Sequence, residues 1–342
     1  MRALVLVEPG RIELQQRPDP RPGPGEVLLK VEATTLCGTD LRIISGAKTA
    51  GVRQGVIMGH EIAGRIAALG EGVSGYEVGQ QAAPSIVISC NHCRVCLLGL
   101  EHLCENLRLI GYEIDGGLAD YCLIPAQAVA QGNLVTTRTE VNPTHLALAE
   151  PLSCCINAAN QYRVQPGDVV AVLGAGPIGL LHLQLAQASG ASQVIVSNRS
   201  VARRAPAAAL GAVAVGPDEV QQAVLEATGG LGADVVVVCI GEPALASVAL
   251  DLARPGGRVS YFAGFPKGST AEVDVNLLHY KELEVTGGSN ARRRDVRAAV
   301  RLLESGHLNA DAIVTHTFAL DDAPAAYDAV RDRLGVKIAV TP

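Results

Sequence analysis

The chain has 342 residues, with 28 Lys+Arg against 34 Asp+Glu and a net charge of −6. That length suits about two domains, and a hydrophobic share of 48% is enough for a sizeable core, which excludes a disordered chain. The acidic balance argues against a nucleic-acid binder driven by net positive charge, and no apolar run of about 18 residues marks a membrane-spanning helix.

The N-terminal MRALVLVEPGRIEL carries one short apolar run, interrupted by Glu8, Pro9 and Gly10. No small-residue cleavage site follows it, so it reads as the first strand of a cytoplasmic protein. Residues 17–26 (RPDPRPGPGE) are too rich in proline for a helix and form a connector. VLLKVEAT at 27–34 is a strand, and 57–70 (IMGHEIAGRIAALG) reads as strand–turn–strand. Residues 78–89 continue that pattern. The first part of the chain is therefore β-rich and barrel-like.

Near residue 147 the pattern changes. VVAVL and VIV within 164–200 fit parallel strands covered on both faces, separated by a glycine loop and a helix. A helix at 201–210, the segment GAVAVG, a helix at 219–228 and the apolar strand 233–241 follow. Next come a helix at 243–254 and strands at 258–264 and 283–288. Alternating strands and helices predict an α/β doubly wound parallel sheet of Rossmann type. A helical stripe covers 292–306, and VKIAVTP closes the chain as a strand.

Gly174-Ala175-Gly176-Pro177-Ile178-Gly179 lies between a predicted strand and a predicted helix. That context makes G-x-G-x-x-G a dinucleotide fingerprint. The first glycine allows the tight turn, the second lets backbone approach a pyrophosphate, and the third allows close packing of helix on strand. The helix N-terminus favours phosphate. At the end of the second strand stand Asn198, Arg199 and Ser200, with Arg203 and Arg204 a turn later, and no carboxylate occurs from Val194 to Arg204. Amide, hydroxyl and guanidinium donors suit a 2′-phosphate, so NADP(H) is favoured. The alternative is NAD, with Asn198 on the ribose diol and the arginines solvated.

Four of the nine cysteines, Cys90, Cys93, Cys96 and Cys104, fall within fifteen residues. An odd cysteine count without a signal segment does not fit a disulfide scaffold. Four thiolates from one loop predict a closed, structural zinc, with an iron–sulfur cluster the weaker alternative. His92 and His102 inside this lobe read as solvated loop residues. Elsewhere Cys37-Gly38-Thr39-Asp40, Gly59-His60-Glu61 and Glu150-Pro151 each stand where a ligand is possible. Taken singly, each has an ordinary structural explanation.

These motifs, in this order, resemble the zinc-dependent medium-chain dehydrogenase/reductase family, and most of all its sorbitol and threonine dehydrogenase branch. The resemblance runs from the first strand to Lys337. It includes Gly256-Gly257, Phe262-Ala263-Gly264 and Gly288-Ser289-Asn290. It implies a Rossmann domain at 147–289 and a β-rich GroES-like catalytic domain at 1–146 and 290–342. It also implies two zinc ions per chain. Cys37 and His60 match ligands of a catalytic zinc, Glu61 and Glu150 match carboxylates that ligate it in some members or states, and Asp40 supports His60. Thr39 matches the hydroxyl that bonds the substrate oxygen and starts proton relay, with Glu61 and Glu150 as further proton carriers. Ala263, Gly264, Ser289, Asn290 and Lys337 match cofactor-side positions. The implied reaction moves hydride between a carbinol carbon and nicotinamide, with zinc as Lewis acid.

One departure concerns the residues after Cys-Gly-Thr-Asp. Many relatives carry a histidine there, and this chain has Leu41, Arg42, Ile43, Ile44 and Ser45. Arg42 stays charged and cannot relay protons, so an anionic or polyhydroxylated substrate, cofactor phosphate and plain solvent are its candidate partners. Arg292 to Arg294 read as helix-capping residues in solvent, with a phosphate as the alternative. His279-Tyr280 reads as domain-edge packing, and Cys154 and Cys155 as small apolar packing.

The expected function is a zinc-dependent NADP(H) oxidoreductase acting on a secondary alcohol of polyol, sugar or cyclitol type, or on the matching ketone. The alternatives are an NAD-dependent polyol or threonine-type amino-alcohol dehydrogenase and a non-catalytic zinc- and dinucleotide-binding relative. The expected partners are a small-molecule substrate and further copies of the chain in a dimer or tetramer, with no nucleic acid and no membrane.

Overall fold

Val27–Thr35 is buried along nearly its whole length, broken only by Lys30 and Glu32. A strand covered on both faces needs partners on both edges, and this one has them. In the computed structural model, which describes residues 1–342, it pairs antiparallel with Glu61–Leu69 on one side. On the other it pairs with Tyr121–Ile124 near its start and Lys337–Thr341 near its end. The full seven-stranded sheet runs Val314–Ala319, Lys337–Thr341, Val27–Thr35, Glu61–Leu69, Gln81–Pro84, Leu134–Thr136, with Tyr121–Ile124 attached to the central strand. Leu29, Val31, Ile62, Ile66, Ile124 and Val340 fill the core beside it, together with Leu4 and Tyr327.

The segment 57–70 departs from the sequence expectation. It contains one strand, Glu61–Leu69, and Ile57 only bridges Val5. Gly64 marks no turn. It sits inside the strand, where a Cβ would overlap the Lys30 carbonyl, so the glycine serves close backbone approach at a register shift between Val31 and Ala33.

The chain divides into two compact units, Met1–Ser153 with Asn290–Pro342, and Cys154–Ser289. The second unit holds six strands, all parallel, in the order Val213–Val215, Gln193–Ser197, Val169–Leu173, Ala233–Val238, Ala253–Tyr261, Glu284–Gly287. Numbered along the chain, that is the doubly wound order 3-2-1-4-5-6. Val169–Leu173 is buried throughout. The helix that follows, Pro177–Ala188, is buried from Gly179 to Ala186, which explains why its sequence shows no clean amphipathic stripe. Proline at its first turn suits a position whose N–H needs no helical partner. No helix is long and apolar enough to cross a membrane.

Candidate metal and dinucleotide sites

The four lobe cysteines converge as the spacing predicts. Cys90 Sγ lies 4.0 Å from Cys96 Sγ, and Cys93 Sγ lies 3.9 Å from Cys104 Sγ. A tetrahedron built on metal–sulfur bonds of about 2.3 Å has edges of about 3.8 Å, so the thiols already stand at the spacing zinc requires. Backbone N–H groups point at the sulfurs: Cys90 and Asn106 donate to Cys104, and Cys93 donates to Cys90, at 3.2 to 3.3 Å. The His92 N–H leads the effects that bring the Cys90 thiol down to about 6. Burial and the neighbouring thiols push Cys96 up to about 12. Four thiolates without a cation oppose one another, and this donor set fits a divalent metal.

The second cluster is assembled by the sheet. Thr35, the last residue of its strand, is paired with Glu61, the first residue of the next. Thr35 is also paired with Ala339, which brings the start of the final strand to the same edge. Cys37 follows Thr35 by two residues, and His60 precedes Glu61. The ligand atoms of Cys37, His60 and Glu61 all lie within 4.8 Å of one another. A thiol, an imidazole and a carboxylate form a borderline-soft donor set that suits zinc.

Buried groups stand behind these three residues. Asp40 Oδ1 is 3.1 Å from His60 Nδ1, both fully shielded. The two atoms stand close, without the alignment of a full hydrogen bond. Asp40 Oδ2 also accepts from the Cys37 N–H at 3.0 Å, which caps helix Gly38–Ile44. Burial works most strongly against a charged His60, but Asp40, Tyr112 and Cys37 together outweigh it, so the ring's pKa rises. Tyr112 lies beside His60, with ring centroids 5.2 Å apart. The Tyr327 phenol is buried in the field of Asp40, Cys37 and Glu61.

Glu61 is held from both sides. Lys337 Nζ is 2.6 Å from Oε1, and the Thr35 hydroxyl donates to Oε2. Lys337, expected at the cofactor, is buried here and gives its ammonium to Glu61. Burial opposes its charge, but Glu61 and Cys37 raise its pKa. Sequence reasoning missed this pair because Lys337 is 276 residues from its partner. Glu150 opens helix Ala149–Tyr162 and is half-buried. It lies outside the three-residue cluster, yet its charge reaches both Tyr112 and Lys337. Thr39 lies in the first turn of Gly38–Ile44, and its N–H points at Cys37 Sγ at 3.4 Å.

In the second unit, Gly174 has φ +122° at the end of strand Val169–Leu173. A Cβ on Gly179 would overlap the Gly174 carbonyl. Gly176 caps the helix without a side chain, and the only atom facing its open side within 4 Å is Arg203 Nη1, at 3.5 Å from the position of a Cβ. The guanidinium of Arg203 therefore lies over the glycine loop. Ser200 caps helix Val201–Ala209, and Asn198 Oδ1 accepts from the Ser200 N–H at 2.9 Å. Arg199 is exposed, 3.9 Å from Glu242, and Arg204 pairs with Glu219. Pro177 and Ile178 form the half-buried first turn of the glycine-loop helix. Ala263 and Gly264 follow strand Ala253–Tyr261, where the Ala263 N–H bonds the Val238 carbonyl. Ser289 closes this unit, its carbonyl accepting from Asn157 at 3.4 Å.

Among the peripheral expectations, those for His102 and for His279-Tyr280 are corrected. His92 is exposed, but His102 is buried because a short 3-10 turn, Glu101–Leu103, tucks it inward. Its carbonyl accepts from Asn290 at 3.3 Å. Of the three consecutive arginines, only Arg294 is exposed. Arg292 caps helix Arg293–Glu304, and Arg293 ties the lobe through Glu101, Asn91 and Gln131. His279 and Tyr280 are exposed, Tyr280 by 78%, instead of packed. Cys155 is buried and Cys154 half-buried. Arg42 is exposed on its helix.

Comparison with known proteins gives concordant matches. The profile of the alcohol dehydrogenase GroES-like domain matches residues 23–133, and that of zinc-binding dehydrogenases matches residues 177–305. L-threonine 3-dehydrogenase of Pyrococcus horikoshii is 37% identical, over 97% of this chain and 95% of that protein. Sorbitol dehydrogenase of Halalkalibacterium halodurans is 32% identical, over 100% of this chain and 99% of its own. A zinc-binding dehydrogenase structure from Sinorhizobium meliloti, bound to NADP, superposes with a TM-score of 0.93 at 33% identity, covering 100% of this chain and 99% of that one.

Proposed function

Because the chain belongs to the zinc-dependent medium-chain dehydrogenase/reductase family, a family of oxidoreductases, we propose that it interconverts a secondary alcohol of polyol, sugar or cyclitol type and its ketone, using NADP(H). The observation that carries the reading is the convergence of Cys37, His60 and Glu61 within 4.8 Å, with Asp40 behind His60. Zinc at this cluster supplies Lewis acidity at the substrate oxygen, and NADP(H) supplies or takes the hydride.

The chain's own residues do the rest. Cys37 and His60 hold the metal, and Asp40 holds the Nδ1 side of His60 so that the other ring nitrogen keeps its lone pair for it. Thr39 bonds the substrate hydroxyl and passes its proton outward. Glu61, once released by Lys337 or Thr35, and Glu150 serve as carboxylates that ligate the metal or take that proton. Cys90, Cys93, Cys96 and Cys104 would hold a second zinc, which would staple the lobe and take no part in the chemistry.

The NADP(H) reading rests on the donors Asn198, Arg199, Ser200 and Arg203 after the second strand, where no carboxylate stands to repel a 2′-phosphate. Guanidinium groups bind phosphate with charge-assisted hydrogen bonds. The S. meliloti neighbour bound to NADP supports it. Titration with NADPH and NADH side by side, followed by nicotinamide fluorescence, tests it. Tighter NADPH binding that Arg203→Ala abolishes is the expected result. Tighter NADH binding assigns Asn198 to the ribose diol instead. A second reading, an NAD-linked amino-alcohol dehydrogenase, draws on the 37% identity to the P. horikoshii threonine enzyme. Turnover of L-threonine above that of polyols would favour it.

A further inference from the structure

Lys48 lies in the loop after helix Gly38–Ile44, which begins at the Cys37 cap. Its N–H bonds the Arg42 carbonyl at 2.9 Å, so the loop folds back on the helix. Its ammonium stands 5.5 Å from the centroid of the Tyr112 ring. Tyr112 is 7% exposed and leans on His60 at 5.2 Å. A half-buried cation is thus joined to the metal-ligand cluster through a single aromatic ring.

No carboxylate of the chain answers this cation. The nearby acids have other partners or lie apart: Glu61 is held by Lys337 and Thr35, Asp40 by His60 and the Cys37 N–H, and Glu150, whose charge also reaches Tyr112, forms no ion pair with Lys48. The next cation along the chain, Arg53, has Asp115. Arg42, exposed on the same segment, takes part in no ion pair either. The lysine is half-buried, its stem covered and its ammonium open to water beside the ring face. A lysine keeps three donors to offer, and an anion arriving from outside is the partner they fit.

We propose that Lys48 is a specificity-determining residue that binds the carboxylate of a hydroxycarboxylate substrate, a sugar acid, whose secondary carbinol meets the Cys37–His60–Glu61 cluster. The proposal rests on the function proposed above and narrows its substrate class. The ammonium and the imidazole are separated by no more than the two spans across Tyr112 laid end to end. A sugar acid of several carbons bridges that reach, with its acid at one end and its reacting hydroxyl near the other. Arg42 adds positive potential on the same segment. A neutral polyol has no use for either charge.

The test uses the zinc-loaded protein and matched probes: D-gluconate and D-galactonate as acids, glucitol and galactitol as their neutral counterparts. Calorimetry gives the affinity of each for the wild type, Lys48→Met and Lys48→Arg. The expected result is a loss of about tenfold or more in acid affinity for Lys48→Met, the size of one charge-assisted hydrogen bond. Neutral probes keep their affinity, Lys48→Arg restores the acids, and added salt weakens acid binding to the wild type alone. Equal weakening of acids and neutral probes, no weakening, or no acid binding to the wild type overturns the proposal. Turnover of a panel of secondary alcohols with both nucleotides separates the two claims. Turnover of neutral alcohols without a Lys48 effect keeps the function and removes this inference. A Lys48-dependent acid affinity without any turnover does the reverse.

Discussion

The four-thiol lobe and the Cys37–His60–Glu61 cluster lie in the same unit and are built in opposite ways. The lobe takes all its ligands from residues 90 to 104, and backbone N–H groups supply its hydrogen bonds. No lysine or arginine bonds its sulfurs, so balancing the thiolates falls to the metal. The second cluster draws on strand ends far apart in sequence, joined by the pairing of Thr35 with Glu61 and Ala339. It carries its own counter-charge, Lys337, on Glu61. A closed site needs only local spacing and a cation. A site that must exchange a ligand needs a carboxylate parked on something other than the metal.

The contrast predicts where each cluster breaks. Cys104→Ser removes the sulfur that accepts from two N–H groups. With nothing else to balance the lobe, the expected loss is one zinc per chain and more than about 4 kcal/mol of stability. Elemental analysis with thermal melting checks it. A variant that keeps both its metal content and its melting point would sink the closed-site reading. Lys337→Met comes next. It leaves Glu61 shielded with the Thr35 hydroxyl on it but no counter-charge, which costs about 3–5 kcal/mol in the metal-free protein. Adding Glu61→Gln should recover much of that loss. Urea unfolding of the single and double variants decides it, and simple additivity of the two changes argues that the pair is not coupled.

Asp40→Asn acts on the open cluster more gently. The amide oxygen still caps the helix by accepting from the Cys37 N–H. The amide nitrogen then faces His60 Nδ1 and favours the wrong tautomer. Zinc affinity at this cluster should fall about 10- to 100-fold, with the lobe still loaded. Competition with a chromophoric chelator resolves the two metals. Equal weakening of both shows that Asp40 acts through the fold at large.

Legibility in the sequence followed the same division. The lobe, the glycine loop and the parallel strands from Val169 to Gly287 announce themselves in short windows, since each depends on neighbours a few residues away. Cys37, His60 and Glu61 were marked by motif and family resemblance, but nothing local reveals that Thr35 and Lys337 hold Glu61. That contact depends on strand order and register, which a single sequence does not display. Lys48 carried no signal at all, being one lysine in a loop until Tyr112 is seen beneath it. The turn expected within 57–70 is absent because Gly64 serves close approach inside a strand, although glycine is a residue type that usually marks turns. His102 misled because it stands in a cysteine loop with no helix or strand period to assign it a face, while the turn at Glu101–Leu103 faces it inward.

Two of the buried histidines, His60 and His182, sharpen the comparison with the smallest expected effect. His60 has Asp40 against it, and its pKa rises. His182, in the other unit, has only the Tyr162 hydroxyl at 2.8 Å and the Phe262 ring, and burial brings it down to about 3. The folded protein therefore holds His182 neutral where the unfolded chain, with an ordinary value near 6.5, takes up a proton. Stability on this account is complete above about pH 6.5 and falls as the pH drops below it, by at most about 1.4 kcal/mol per unit. Between about pH 7.5 and pH 5 the wild type should lose about 1–2 kcal/mol more than His182→Gln, which has no proton to gain. The difference between the two proteins in the pH dependence of their urea midpoints isolates this group from every other acid and base. Parallel slopes would mean that His182 is reached by water or finds a counter-charge, and that burial alone does not separate it from His60.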